Sequence, residues 1–409
     1  MGRRFETLFL VVLAGCVLLA GRVEADWLQF RGSASNGVAT PDMSSADAPP
    51  ISWNDGENIA WKSPLPGRGQ SSPIVVGTRV VVTAVSGFRQ DRLHVLCFDR
   101  GSGKQLWERQ LWATGMTYCH PKGSMAAPTP VSDGKRIFAL FSCNDLVCYD
   151  LDGTPRWLRA LTLDYPNAAN SVGLSSCPII ANDTVVLQIE NDAVSFAVGL
   201  NTTDGTNRWK IDRPRAVNWA SPVRLDGKSV LFQSPSGLTA LDARTGNSLW
   251  THEVKCGVIA SPTVANNMIF LPADGMTAFK WAGSSEKAPT PAWNSGKVKL
   301  VTPSPLVYDD RVYALGGSIL RAIDIETGDI QWRLRLKGAF SSSPVAAGGR
   351  IYCFNEDGLG YVVQPGAKEG KVIATSEMGE GILCTPAISG GELFVRSDGQ
   401  LWKIAKAAE

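Results

Sequence analysis

Apolar positions along this chain fall in short blocks separated by Gly, Asn, Asp and Pro, the spacing of strands and turns rather than of helices. One unit recurs eight times. It is a hydroxyl or thiol residue, then Pro, then a short strand, a turn and a second strand. The prolines are Pro73, Pro130, Pro178, Pro222, Pro262, Pro305, Pro344 and Pro386, separated by 57, 48, 44, 40, 43, 39 and 42 residues. Before them stand Ser72, Thr129, Cys177, Ser221, Ser261, Ser304, Ser343 and Thr385. Four residues after each proline comes a turn former: Gly77, Gly134, Asn182, Asp226, Asn266, Asp309, Gly348 or Gly390. Pro is tolerated at the first residue of a strand, where its missing N–H costs no ladder bond, and the turn residues accept φ > 0 or cap themselves. Each unit therefore opens with a hairpin. Its flanking strands are β-branched and aromatic, as in Arg311-Val312-Tyr313 and Arg350-Ile351-Tyr352.

A second element lies between these hairpins. Its cleanest copies run from Ala240 through Asp242, Thr245 and Gly246 to Trp250, and from Ala322 through Asp324, Thr327 and Gly328 to Trp332. Cys97 to Trp107 matches with Asp99 in place. Cys148 to Trp157 is one residue shorter, Gly199 to Trp209 carries Asn201 at the Asp position, and Trp293 ends a drifted copy. The Asp closes a tight turn by accepting backbone N–H bonds, the Gly takes the strained turn position, and the Trp lies flat between adjacent sheets. These Asp and Trp residues are architecture, not catalytic groups.

Each period thus supplies four strands, and periods of this length with four strands are propeller blades. The predicted fold is all-β: an eight-bladed propeller of four-stranded antiparallel blades, one domain over residues 26–409. After Pro386 only three strands remain, whereas Asn58 to Lys62, containing Trp61, is an orphan outer strand with no hairpin before it. Pairing of Ile59–Lys62 with Leu401–Ile404 would complete the last blade and remove the open edges.

Composition narrows the function classes. Lys+Arg 40 and Asp+Glu 38 nearly cancel and no basic run occurs, which argues against nucleic acid as a partner. Arg3 and Arg4 precede an apolar run from Leu8 to Gly21, and Val23-Glu24-Ala25 offers a cleavage site, so residues 1–25 are expected to be a secretory signal. A second reading overlaps it: Leu13-Ala14-Gly15-Cys16 is similar to a lipobox, with Cys16 lipidated. No later segment is apolar enough to be a membrane span. The expected product is an exported, periplasmic or envelope protein, monomeric and without a transmembrane helix once the signal is removed.

The Ala-x-Asp-x-x-Thr-Gly-x-x-x-Trp element resembles the PQQ-like (quinoprotein-type) β-propeller repeat, and the resemblance covers roughly Trp27 to Ile404. Trp27-Leu28-Gln29-Phe30-Arg31-Gly32 is similar to the opening segment of secreted propellers of this kind. The resemblance implies one of two functions. BamB-like propellers are non-catalytic scaffolds without a cofactor. Quinoprotein dehydrogenases hold pyrroloquinoline quinone and calcium in the mouth of the ring. This chain lacks the adjacent cysteine pair of many dehydrogenases and has no Cys-x-x-Cys-His. It is closer to the BamB-like branch in length, which implies a scaffold that binds an envelope protein or polymer.

Function is expected on the rim of the first four blades. The surplus length of the first periods is expected in loops, because blades of one fold need similar strand lengths, and long ordered loops carry specific contacts. The longest, Leu111 to Thr129, contains Tyr118, Cys119, His120 and Lys122. Asn144 and Asp145, then Asn170, then Glu190, Asn191 and Asp192, then Arg213, Arg215 and Trp219 fall on the same side. A solvated rim is the plain alternative. His94 and His252 lack metal-ligand spacing and no Cys-x-x-Cys exists, so no metal site is expected. Cys97, Cys148, Cys177, Cys353 and Cys384 occupy positions where other repeats have Ala or Ser, which marks them as small buried residues.

Overall fold

The computed structural model describes residues 26–39, 43–168 and 172–407. The expected leader with Cys16, and the rim candidate Asn170, lie outside the described residues. Eight four-stranded antiparallel sheets follow one another in order. Blade 1 comprises Ile74–Val76, Arg79–Ser86, Arg92–Asp99 and Gln105–Trp112. Blades 2 to 7 span 131–160, 179–212, 223–253, 263–295, 306–335 and 345–377. Blade 8 comprises Ala387–Ser389, Glu392–Arg396, Gln400–Ile404 and, from the other end of the chain, Ile59–Pro64. Each first strand begins at the residue after a repeat proline. The eight first strands neighbour one another in an unbroken circle, with Ile74–Val76 beside both Val131–Ser132 and Ala387–Ser389.

The closing strand pairs as its pattern predicts: Ile59 opposite Ile404, Lys62 opposite Trp402, Ser63 opposite Leu401. It then docks on blade 1 in the same way as most other outer strands dock on their neighbours. The Trp61 indole donates to the Arg100 carbonyl at 3.0 Å and Ser63 Oγ to the Gly103 carbonyl at 2.6 Å. The seam is further held by Glu392, which Arg100 Nε and Lys403 Nζ contact at 2.6 and 2.5 Å.

The repeat tryptophans lie between blades. Trp107, Trp209, Trp250 and Trp332 are buried, and Trp157 is partly covered. Each of Trp61, Trp107, Trp157, Trp209, Trp293 and Trp332 donates its indole N–H to a turn carbonyl of the next blade at 2.9–3.2 Å. The turn glycine is required twice over. Gly246 has φ 73°, and a Cβ there would lie 2.6 Å from the Trp209 ring. Asp242 Oδ1 closes that turn by accepting from the Arg244 and Thr245 N–H groups at 2.9 and 2.8 Å, and Asp99 and Asp324 do the same in their blades. Trp250 is the exception. The blade 5 turn has drifted, and its indole nitrogen is buried without an acceptor.

One expectation is corrected. The long first period is not all loop, because three strands of blade 1 are 8 residues each, against 5 or 6 in blade 2. Among the described residues the cysteines are free, and all but Cys119 are buried. Among the described residues the single helix, Leu161–Asp164, has 4 residues, and no helix is long and apolar enough to cross a membrane.

The segment ahead of the closing strand crosses one end of the ring. Trp27 pairs with Val75 of blade 1, Arg31 reaches blades 5 and 6, and Val38 bridges to Ala346 of blade 7. Beyond it, Trp53 stacks on Phe354 at 5.7 Å and the Pro49 carbonyl accepts from Tyr352.

Candidate functional site

The hydroxyl-Pro pattern has a structural cause that the sequence did not disclose. In seven of the eight units the residue before the proline donates its backbone N–H to the equivalent side chain of the next blade. The steps run from Ser72 to Thr129 Oγ1, on to Cys177 Sγ, Ser221 Oγ, Ser261 Oγ, Ser304 Oγ and Ser343 Oγ, and end at Thr385 Oγ1, at 2.9–3.2 Å. Proline has no N–H, so the preceding residue supplies the bond that ties one inner strand to the next. All eight of these side chains line a central cavity of about 510 Å³, and all are buried from bulk solvent. Phe30, from the segment that crosses the ring, lines it as well.

The loop between blades 1 and 2 overhangs the mouth of this cavity. Thr114 N–H donates to Asp145 at 2.8 Å and fastens the loop to blade 2. The His120 N–H donates to the Val172 carbonyl at 3.1 Å, and Arg68 donates to the Pro121 carbonyl at 3.1 Å. Gln70 donates to the Lys122 carbonyl, and Lys122 Nζ then meets Glu356 Oε2 of blade 7 at 2.7 Å. Ser341 Oγ donates to the other carboxylate oxygen at 2.8 Å. Burial alone would raise the Glu356 pKa, but the bonds from Lys122 and Ser341 and the Lys122 charge outweigh it and hold the carboxyl below its ordinary value.

The remaining rim candidates separate into two groups. His120, Lys122, Asp192 and Arg215 are exposed, and Trp219 lines the cavity while donating to the Gly173 carbonyl at 2.9 Å. Glu190, Asn191 and Arg213 are not a solvated rim, which corrects that expectation. Glu190 and Arg213 form a pair at 2.7 Å with side chains 0% and 6% exposed. The second Glu190 oxygen accepts from Asn218 at 2.8 Å, and the guanidinium lies 5.3 Å from the Phe232 ring centre. Asn191 spends its amide on the turn it sits in, bonding Ala193 and Val194. These side chains hold the loops of blades 3 and 4 rather than face a partner.

Sequence reasoning missed an apolar surface beside the mouth. Phe88 is 101% exposed at the tip of a blade 1 hairpin, and Trp112, Met116, Tyr118 and Leu163 are also exposed. They are close in space through their backbones. The Ala113 N–H donates to the Asp91 carbonyl at 2.9 Å, and Gly115 packs against Thr162. Arg92 covers one face of Trp112 at 4.2 Å. The available signal was a Phe inside an otherwise polar turn, Ser86-Gly87-Phe88-Arg89-Gln90, where turn chemistry gives no reason for an aromatic ring.

A calcium-bound quinone does not fit the residues present. The cavity has one carboxylate, Glu356, already paired with Lys122, and among the described residues no cluster of three His, Cys, Asp or Glu could hold a metal ion. Calcium needs six to eight oxygen ligands, usually with carboxylates among them.

Comparison with known proteins gives one pattern. The family model described as outer membrane protein assembly factor BamB matches residues 46–198, 92–255, 196–319, 281–365 and 316–408, overlapping as repeats do. An outer membrane protein assembly factor BamB of Legionella pneumophila (strain Paris) is 22% identical over 189 residues, 43% of this chain; the match spans 47% of that relative's length. Among solved structures, BamB from Moraxella catarrhalis superposes with a TM-score of 0.63 at 17% identity, covering 86% of this chain and 98% of that one. A europium-containing methanol dehydrogenase superposes at 0.71 with 10% identity, covering 93% and 98%. The quinohemoprotein alcohol dehydrogenase from Comamonas testosteroni superposes at 0.64 with 12% identity, covering 94% and 81%. At these identities the structural likenesses show the fold alone.

Proposed function

The chain belongs to the BamB family of PQQ-like propellers, and on that premise we propose that it is an exported, non-catalytic scaffold that docks an envelope protein on its loop rim. The observation that carries this is the set of exposed apolar side chains Phe88, Trp112, Met116, Tyr118 and Leu163, on neighbouring segments of blades 1 and 2. Large apolar side chains exposed in one region of a surface mark it for binding. Aromatic and Met side chains are the residues that interfaces enrich, and Arg92 on the Trp112 ring adds a rigid polar edge. The same composition favours a protein partner over a hydrophilic polymer. The relatives are outer membrane protein assembly factors, and the proposed partner is a component or client of that process.

The test is photo-crosslinking in the envelope of a host that expresses the full chain. A crosslinking residue at Phe88 or Met116 should yield a discrete adduct with an envelope protein. The same residue at Leu158 or Val372, exposed on outer strands of blades 2 and 7, should not. Equal adducts at all four positions, or none at Phe88 and Met116, would remove the reading.

A further inference from the structure

We infer that the channel at the level of the hydroxyl ring is a binding site for an oxyanion group, a carboxylate or a phosphate. The inference stands apart from the docking surface and does not depend on it. Two independent observations carry it.

The first is an arc of hydroxyl hydrogens with no protein acceptor. Thr129, Ser221, Ser261, Ser304, Ser343 and Thr385 each accept one backbone N–H from the preceding blade. That bond fixes each oxygen and uses one lone pair. Thr129 and Ser221 flank Cys177 and their side chains bond its sulfur, but among the described residues the hydroxyls of Ser261, Ser304, Ser343 and Thr385 donate to no protein atom, while every one lines the cavity and is at most 5% exposed. The hydrogens are left for whatever occupies the channel. A hydroxyl carries one donor, and several donors converging on one axis suit the multiple lone pairs of an oxyanion.

The second is a buried cation beneath the ring. Arg31 is 1% exposed. Its guanidinium donates to the carbonyls of Pro262 (3.2 Å), Asn36 (3.3 Å) and Pro305, and to Thr263 Oγ1 at 2.7 Å. Pro262 and Pro305 directly follow the ring residues Ser261 and Ser304. Among the described residues Arg31 has no carboxylate partner, and its Nε is buried without an acceptor. Burial accordingly pulls its pKa down, with no counter-charge opposing the shift. A guanidinium stays protonated, so the charge is real and only partly compensated by carbonyl dipoles. Arg31 does not itself line the cavity; it lies one residue behind the ring, on the carbonyls of Pro262 and Pro305, from where its charge favours an anion in the channel. The one carboxylate at the mouth, Glu356, is neutralised by Lys122 and does not repel it.

Equilibrium dialysis of the purified full chain against radiolabelled acetate, and separately against inorganic phosphate, tests this. Saturable uptake of one equivalent of at least one anion is expected, and the tighter of the two identifies the oxyanion recognised. The decisive variant is the pair Ser261→Cys and Ser304→Cys. Cys177 already plays this part in blade 3, so thiols keep the inter-blade bonds, but S–H is a weak donor. Affinity should fall about tenfold with the melting temperature unchanged. Thr385→Ser, which keeps the O–H, should bind as the unaltered chain does, and Arg31→Gln should abolish uptake. Absence of saturable uptake of both anions, or a thiol pair that binds like the unaltered chain, overturns the inference: the ring then holds only water.

Discussion

Between blades 3 and 4 the molecule solves the same problem twice, in opposite ways. At the outer seam Trp209 lies on Gly246 and donates to the Ala243 carbonyl, the arrangement that recurs around the ring. At the rim of the same two blades, Glu190, Arg213 and Asn218 lock the loops with a buried charged network that the other rim loops do not repeat among the described residues. The seam is a repeated rule, and its cost of error is the fold. The rim is written blade by blade, and only part of it is architecture. A charged residue at the rim is therefore no evidence of a contact surface until its burial is known.

The largest effect should come from breaking the seam that no covalent link closes. Deleting residues 26–64 removes the outer strand of blade 8, Trp61 and the Arg31 anchor and exposes an edge, leaving the Glu392 contacts alone to hold the seam. The truncated chain should fail to give a cooperative melt; an unchanged melting temperature would show the ring closes without it. Next in size is Trp209→Ala, expected to cost about 3–5 kcal/mol by the large-to-small rule for buried aromatic residues, read from urea denaturation.

How much was legible follows the same division. The register, the blade count and the closing strand could be read because the Pro position recurs eight times and the Asp, Gly and Trp positions follow one geometric rule in most blades. The inner ring was legible as a pattern without a reason, since the bond from Ser221 to Ser261 joins residues a whole blade apart. Glu190 and Arg213 were misread because nothing in their own segments reports that Asn218 and Phe232 close over them. Phe88 was passed over because hairpin tips are scanned for turn formers, not for apolar residues. Blade 1 ran against the assumption that strands keep one length.

The comparison sharpens at single charges. Arg213→Met leaves the Glu190 carboxylate buried and unpaired, and should cost about 3 kcal/mol, the penalty for breaking a buried pair. Lys122→Met, whose Lys side chain is 64% exposed, should stay within about 0.5 kcal/mol. Equal losses in thermal melts would mean that the two rims are alike after all. Smaller still is the difference between two seams. Trp209→Phe discards a hydrogen bond, whereas Trp250→Phe removes an indole N–H that had no acceptor. The first should cost about 1 kcal/mol more than the second.

The smallest effect concerns the turn carboxylates and can be isolated by pH. The Thr327 N–H, with those of Glu326 and the neighbouring side chains, holds the Asp324 carboxyl below the ordinary aspartate range despite a weaker opposing effect of burial. A group whose folded pKa is depressed stabilises the fold above its unfolded pKa, near pH 4, and loses that contribution as pH falls through the lower folded value. Asp324→Asn keeps an acceptor for both N–H groups and removes only the charge. Blade 3 already tolerates this change, because Asn201 Oδ1 accepts from the Thr203 N–H at 3.0 Å in the equivalent turn. The variant should therefore lose well under about 1 kcal/mol at neutral pH, as exposed charge effects do. That deficit should close as the pH is lowered below about 4, where the parent carboxylate also becomes neutral. Urea melts of both chains from neutral to acidic pH would show the two curves converging. A deficit that stays constant across the range would mean that the charge contributes nothing and the turn is held by hydrogen-bond geometry alone.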